Sequence, residues 1–236
     1  MTKRNPKQEG SELFDCIPQE GKCSIGCNQC FFNRPGAFYT EVPSVPTPEE
    51  VGDGVVRMNT GNDSNNQRDL VIETAQQYKH AFYNTSLPRF DFPGPVVFTA
   101  NGREEKPAHL IDPVPDNVMF VRLRVSGTNI PHIDAAVDHY TLAHVPVVLT
   151  FMAYYDQAPN VTRTELWLPT EECYVWKVRH INSYWCPTPE FMRAVLDRYY
   201  GNRFVSMCGS IDTPYCRACR NCETYYYQTA KRLRGE

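Results

Sequence analysis

The sequence has no long apolar segment. In its 236 residues no run of about eighteen uncharged apolar residues occurs, and the opening stretch MTKRNPKQEGSEL is polar. A membrane-spanning helix needs such a run, and a secretory signal needs an apolar stretch near its start. We therefore expect a cytoplasmic protein without a membrane partner.

The sequence also has little net charge, and it lacks several familiar nucleotide-binding and catalytic motifs. Its 24 basic residues nearly balance 27 acidic ones, for a formal charge of -3. A dedicated nucleic-acid binder usually carries many more phosphate-neutralising side chains, so nucleic acid is not supported as a partner. The chain has no phosphate loop, dinucleotide fingerprint or nucleophile elbow, which leaves hydrolase and kinase functions without support.

Cysteine, in contrast, is abundant and clustered. In a reducing cytosol, clustered thiols bind metal or perform chemistry more often than they form disulfides. The ten cysteines comprise an amino-terminal group (Cys23, Cys27, Cys30), a carboxyl-terminal group (Cys208, Cys216, Cys219, Cys222) and three isolated residues (Cys16, Cys173, Cys186). Two groups suggest two metal sites.

Between the two groups, strand-like and helix-like segments alternate. Short apolar, β-branched runs predict strands at Leu13–Ile17, Val55–Met58, Val96–Thr99, Val118–Val125, Val145–Phe151, Tyr174–Val178 and Phe204–Met207. Helical spacing predicts helices within Asn66–Tyr83 and Pro131–His144, and a third from Thr188 to Gly201. The segment Asp156–Glu172 is an insertion or a short hairpin.

This alternation predicts an α/β fold, because parallel strands need crossover connections that are usually helical. A complete eight-fold barrel takes about 250 residues. We therefore predict a partial (βα)6 TIM-like barrel over residues 1–203 and a cysteine-rich extension over residues 204–236.

The amino-terminal cysteine group indicates the chemistry. Three cysteines that bind a four-iron cluster leave one iron with an open coordination position. The stretch Cys23-Ser-Ile-Gly-Cys27-Asn-Gln-Cys30 follows the first predicted strand and resembles the CxxxCxxC motif of the radical SAM enzyme superfamily. One departure is Gln29, where family members commonly carry an aromatic residue near the adenine.

The resemblance implies a function. A radical SAM enzyme binds a [4Fe-4S] cluster and S-adenosyl-L-methionine, and it cleaves that cofactor reductively to give methionine and a 5'-deoxyadenosyl radical. The radical abstracts hydrogen from a substrate, here expected to be small or medium-sized. An electron donor such as flavodoxin or ferredoxin is the implied protein partner.

Further residues match the resemblance by location. Asn62 and Asp63 follow the second predicted strand, where the family binds the amino group of the methionine moiety, although the same residues suit an ordinary turn. In the run Val118–Ser126, alternation places Arg122, Arg124 and Ser126 on one face. Arg124 would bind the carboxylate and Ser126 the ribose, unless that face meets solvent. Thr150, with Phe151 and Met152 after it, would contact the adenine, or pack in the core.

The carboxyl-terminal group predicts a second metal centre. Four thiolates can bind a second [4Fe-4S] cluster or one zinc ion, and the CxxCxxC spacing resembles ferredoxin-type ligation and the auxiliary clusters of some radical SAM enzymes. Cys186 could instead supply one ligand. Two other functions stay open: a zinc-stabilised binding protein without catalytic activity, with Lys231–Arg234 touching an acidic partner, and an electron carrier with two clusters.

Overall fold

The structure, a computed structural model, describes residues 5–26, 43–102, 106–155, 173–178, 180 and 184–236. The strands are β1 (Leu13–Cys16), β2 (Val55–Met58), β3 (Ala81–Thr85), β4 (Val96–Thr99), β5 (Val118–Val125), β6 (Val147–Phe151), β7 (Tyr154–Tyr155), β8 (Tyr174–Lys177), β9 (Tyr184–Pro187) and β10 (Val205–Met207). The helices are α1 (Pro48–Val51), α2 (Arg68–Ala75), α3 (Ile130–Leu142), α4 (Pro189–Asp197), α5 (Cys216–Cys219) and α6 (Asn221–Leu233), after a short 3-10 turn at Pro6–Gln8.

Seven strands form one parallel sheet that curls into a half-barrel. Their order is β1-β2-β3-β4-β5-β6-β10, and every neighbouring pair is parallel. The fold is therefore mixed α/β and resembles part of a TIM-like barrel. Because all seven strands run the same way, the turns that follow them gather at one edge of the sheet. A separate three-stranded antiparallel sheet has the order β7-β9-β8.

Two strands differ from the sequence prediction. The helix predicted within Asn66–Tyr83 ends at Ala75, and β3 begins at Ala81. The physical reason is that Phe82 and Tyr83 are both buried and pack into different clusters, as a strand between two covered faces allows. The run predicted from Tyr174 does form a strand, but it belongs to the small antiparallel sheet. The unassigned segment 156–172 lies outside the described residues.

The two faces of the half-barrel are covered by different helices. On the outer face, apolar side chains of β2 pack against α2, and those of β5 and β6 pack against α3. On the inner face, a band near the strand starts packs against Tyr226 of α6: Leu13, Val55, Phe82, Val97, Phe120 and Val148. Each such buried side chain stabilises the fold by about 1.5–3 kcal/mol.

The carboxyl-terminal extension is therefore part of the folded body. Tyr225 and Tyr226 of α6 lie with ring centroids 5.5 Å from Phe120 and 6.4 Å from Phe82. Because α6 covers the strand starts, the inner face remains open toward the strand ends. No helix within the described part of the chain is long and apolar enough to cross a membrane.

Candidate functional site

A cavity of about 280 Å³ lies where the parallel strands end. We call it the strand-end cavity. Its lining comes from the loop after β1, from the turn after β2, and from the inner faces and ends of β3 to β6. The lining residues are Cys23, Ile25, Arg57, Asn59, Thr60, Gly61, Asn62, Asp63, Asn84, Thr85, Ser86, Thr99, Gly102, Arg122, Arg124, Thr150 and Met152.

Several of the residues predicted from the sequence meet at this cavity. Four of the five candidate cofactor contacts line it, together with one cysteine of the amino-terminal group: Asn62, Asp63, Arg124, Thr150 and Cys23. Cys27 and Cys30 lie outside the described residues, as does Gln29. The fold thus brings together side chains that are up to 127 positions apart in sequence, Cys23 and Thr150 being the extremes.

Ser126 is placed differently. It is buried, and its backbone N–H donates to Asn129 Oδ1 at 2.9 Å. Its hydroxyl lies 3.1 Å from the hydroxyl of Thr128. Among the residues the structure describes, Ser126 is absent from the lining of the strand-end cavity. It caps the turn that leads into α3, beyond the end of β5.

The turn after β2 is held rigidly. Asn59 has a φ of 64° and Gly61 a φ of 118°, so the backbone turns sharply through conformations that favour Asn and Gly. The Asp63 carboxylate then accepts hydrogen bonds from Ser86 N at 2.6 Å and Asn65 N at 2.9 Å, and from Thr85 Oγ1 at 3.0 Å. Burial raises the pKa of Asp63, although these three donors oppose the shift.

Gln19 connects the segment before Cys23 to that turn. Its side chain is 1% exposed, and its Nε2 donates to the carbonyl oxygens of Asp63 at 3.1 Å and Asn66 at 2.8 Å. Its Oε1 accepts a short hydrogen bond from Asn59 Nδ2. A fully bonded, buried amide of this kind fixes the direction in which the chain leaves β1. The start of the cysteine segment is thereby fixed beside the turn after β2.

Arg124 and Thr150 face each other across β5 and β6. Arg124 Nη1 donates to Gly102 O at 2.7 Å, and its Nε lies 3.4 Å from Met152 Sδ. A Cβ at Gly102 would lie 2.8 Å from Ser86 Cβ, so this wall has no room for a larger residue. Thr150 Oγ1 is buried and has no hydrogen-bond partner among the described residues.

A buried ion pair, which the sequence reasoning missed, lies at the base of the cavity. Arg57 Nε and Nη2 each lie 2.8 Å from Asp15 Oδ1, and the two side chains are only 13% and 7% exposed. Thr60 Oγ1 donates to the same carboxylate oxygen at 2.7 Å. Burial lowers the pKa of Arg57, but Asp15 and two nearby cysteines outweigh that effect and raise it.

A second, smaller cavity of about 20 Å³ lies deeper on the inner face. We call it the thiol cavity, because all four cysteines of the carboxyl-terminal group line it together with Arg57 and Arg122. Cys208 follows β10, and its N–H donates to Leu149 O at 2.8 Å. The other three lie on α5 and on the first turn of α6, which meet at a corner where Arg220 has a φ of 52°.

The surroundings of these thiols differ. Burial raises the pKa of Cys216 to about 11 and also raises the pKa of Cys222, while Arg57 opposes both shifts. A hydrogen bond between Cys208 and Cys219 raises the pKa of Cys208 and lowers that of Cys219. The eight cysteines that the structure describes are free thiols.

The four sulfur atoms line one cavity without being gathered around one point. Across the described ranges, no group of three or more His, Cys, Asp or Glu side chains already has the arrangement of a metal-ion site. Cys186, the alternative ligand considered from the sequence, lies in β9 of the small sheet and is not among the residues lining the thiol cavity.

One pattern in the sequence could have found part of what the sequence reasoning missed. Arg57 lies two residues after Val55 on β2, so period-two alternation assigns both to the inner face. Asn84 and Thr85 lie on β3, which the helix prediction concealed. Gln19 has no recognisable pattern in the sequence.

Comparison with known proteins does not assign the chain to a family. No protein-family model matches it, and neither a curated protein nor a solved structure does.

Proposed function

We propose that this protein is a radical SAM enzyme. The observation that carries the proposal is that Cys23, the first cysteine of the CxxxCxxC motif, lines the same cavity as four side chains expected to contact the cofactor. In this proposal the amino-terminal cysteine group binds a [4Fe-4S] cluster beside the strand-end cavity. The first six strands would take the place of the six strands of a (βα)6 core, with no helix among the described residues between β3 and β4 or between β4 and β5, and β10 adds a seventh strand.

The cavity has side chains suited to the polar ends of an amino acid. Asp63 has three donors on its two carboxylate oxygens, and a carboxylate has about four lone-pair sites. One site therefore remains for an ammonium group. Arg124 presents a guanidinium, which matches a carboxylate. Asn62 Oδ1 already accepts from Asp63 N and Asn66 Nδ2, so its amide N–H groups are the part suited to a ligand.

These groups fit S-adenosyl-L-methionine as a donor set. When bound beside the cluster, the cofactor supplies a 5'-deoxyadenosyl radical that abstracts hydrogen from the substrate. The chain's own contribution is to bind and orient: Asp63 would hold the ammonium group and Arg124 the carboxylate of the methionine moiety, and Gln19 fixes the segment that leads to Cys23. Thr150 and Met152 then form the wall expected to face the adenine.

The substrate and reductant follow from the same arrangement. A cavity of about 280 Å³ that opens at the strand ends suits a small or medium-sized substrate next to the cofactor. A one-electron donor such as flavodoxin or ferredoxin would supply the electron for each cleavage.

The test is anaerobic reconstitution with iron and sulfide, followed by addition of S-adenosyl-L-methionine and a reductant. We expect broad sulfur-to-iron charge-transfer absorbance and release of 5'-deoxyadenosine. Cys27→Ala should abolish the release of 5'-deoxyadenosine, whereas Cys173→Ala, outside both cysteine groups, should retain it. Metal confined to the carboxyl-terminal group, with no cofactor cleavage, would contradict the proposal and favour a zinc-stabilised binding protein.

A further inference from the structure

The four cysteines of the carboxyl-terminal group line one cavity, although they come from three different parts of the fold. Cys208 is positioned by β10, and Asn221 at the start of α6 donates from Nδ2 to Met207 O at 2.8 Å. The loop between them turns tightly, since a Cβ at Gly209 would lie 2.9 Å from Pro214 Cα. Glu223 bonds Arg220 Nε at 2.9 Å and Glu12 N at 2.7 Å, which fixes the corner between α5 and α6 to the start of β1. The fold therefore brings the four thiols to the lining of one cavity.

Two arginines separate this place from the strand-end cavity. Arg57 and Arg122 line both cavities, so their side chains lie between the thiols below and the strand ends above. Arg57 has a carboxylate partner in Asp15. Arg122 contacts Asn84 Oδ1 at 3.4 Å and the Phe120 ring at 5.8 Å, and both partners are neutral.

The charge of Arg122 needs a compensating anion. Within the described residues, no carboxylate lies at ion-pair distance from Arg122. Taking a charge out of water without an anion nearby is costly. The side chains that share the thiol cavity with Arg122 include all four cysteines of the carboxyl-terminal group. A negatively charged centre bound by these cysteines would supply the missing anion.

We propose that Cys208, Cys216, Cys219 and Cys222 bind a metal centre as thiolates, and that Arg122 compensates its negative charge. A divalent ion with four thiolates, or a [4Fe-4S] cluster with four thiolates, carries a net negative charge, so both satisfy the arginine. The present cavity has room for about one water-sized body. A single zinc ion would draw the sulfur atoms together, and a four-iron cluster would widen the cavity.

The position of the centre gives it a role beyond anchoring the tail. Since the same two arginines line both cavities, the centre forms the floor under the strand-end cavity. Cys208 is exposed and so provides a path by which metal can enter. The inference concerns a separate set of ligands and does not depend on the proposed cofactor chemistry above.

The experiment removes the other cysteine group first. In a Cys23→Ala, Cys27→Ala, Cys30→Ala variant purified anaerobically, we expect either about one zinc and no sulfide per chain, or about four irons and four sulfides. Adding Cys219→Ser and Cys222→Ser should remove that metal. Adding Cys173→Ser and Cys186→Ser instead is the matched control and should retain it.

A chain that holds no metal in the triple variant, or holds it equally without Cys219 and Cys222, would overturn the proposal. If the triple variant does not fold, the same two serine substitutions are made in the natural chain. The total must then fall by one zinc, or by about four irons with four sulfides. An unchanged total would also overturn it.

The role of Arg122 is tested separately from cofactor chemistry. Arg122→Leu should lose its metal to a chelator at about a tenfold lower chelator concentration, whereas Arg122→Lys, which retains the charge, should stay close to the natural chain. Equal metal retention in all three proteins would show that Arg122 does not compensate the centre. The readout is bound metal, so it holds whether or not the protein cleaves S-adenosyl-L-methionine.

Discussion

The two cysteine groups of this protein lie in different surroundings. Cys23, the described member of the amino-terminal group, borders a cavity of about 280 Å³, whereas the whole carboxyl-terminal group borders one of about 20 Å³. Space beside a metal site lets a ligand or substrate approach. A small space lined by four thiols lets the protein fill the coordination shell by itself.

The difference indicates a division of labour along one barrel axis. Cys23 of the amino-terminal group stands at the strand ends, where loops of parallel α/β proteins carry function. The carboxyl-terminal group lies between the sheet and α6, where packing of Tyr225 and Tyr226 holds the element. We therefore expect the first group to control reactivity and the second to control integrity of the floor beneath it.

The sharpest test of this comparison substitutes one cysteine in each group. Cys27→Ala should reduce 5'-deoxyadenosine formation to background with little change in thermal stability, because Cys23, the first residue of the motif, lies beyond the end of β1 and borders the strand-end cavity. Cys222→Ala should lower the melting temperature, because Cys222 lies in the first turn of α6. Calorimetry and product assays on both variants check the contrast. Equal loss of stability in the two variants would remove the proposed division.

The next largest effect is expected on the free energy of unfolding, at the buried ion pair of Asp15 and Arg57. Asp15→Asn leaves the Arg57 guanidinium without its carboxylate, and breaking such a buried pair costs about 3–5 kcal/mol. The free energy of unfolding in urea measures this. Asp53→Asn is the matched control, because the Asp53–Lys79 pair is similarly short, at 2.7 Å against 2.8 Å for Asp15–Arg57, but exposed to solvent. A similar effect of both substitutions would mean that Asp15 stabilises the fold no more than a surface residue.

The comparison also shows what the sequence reveals and what it leaves hidden. Apolar runs predicted the strand bodies of β1, β2, β4, β5 and β6, because a strand buried on both faces must be apolar throughout. Alternation then grouped Arg122, Arg124 and Ser126 on one face, and the structure shows that Arg122 and Arg124 line the strand-end cavity. In contrast, β3 follows α2 after a short turn, and its residues continued the helical spacing closely enough to extend that prediction to Tyr83.

Contacts between distant segments were the other hidden part. Spacing grouped Cys216, Cys219 and Cys222 because a helical corner is local. It gave no indication that Arg57 and Arg122 lie beside them, because that proximity arises only when the sheet curls and α6 covers its inner face. Ser126 shows where the strand pattern stops. Alternation put it on the same face as Arg124, but β5 ends at Val125 and Ser126 does not line the strand-end cavity.

A smaller effect is expected at Arg124. Arg124→Ala should weaken S-adenosyl-L-methionine binding by about ten- to a hundredfold, the equivalent of losing about 1.5–3 kcal/mol of a charged hydrogen bond. The substitution should leave the fold intact, because Arg124 lines the open strand-end cavity. Circular dichroism can verify this. Arg193→Ala on the exposed side of α4 is the control and should bind normally. Unchanged affinity in folded Arg124→Ala, by titration calorimetry, would place the cofactor carboxylate elsewhere.

The smallest effect is expected at Thr150, where stability and binding should move apart. Thr150→Val keeps the shape of the side chain but removes a buried hydroxyl that has no partner among the described residues. An unpaired buried polar group destabilises a fold, so the free energy of unfolding should stay the same or rise.

A rotation about χ1 would turn that hydroxyl toward the cavity and a bound cofactor. Its loss should therefore weaken S-adenosyl-L-methionine binding by up to about tenfold, as expected for one neutral hydrogen bond of about 0.5–1.5 kcal/mol. Thr99→Val, at an inner-facing position of β4 that lines the same cavity, is the matched control. Equal affinity in Thr150→Val and the natural chain would show that the hydroxyl does not contact the cofactor.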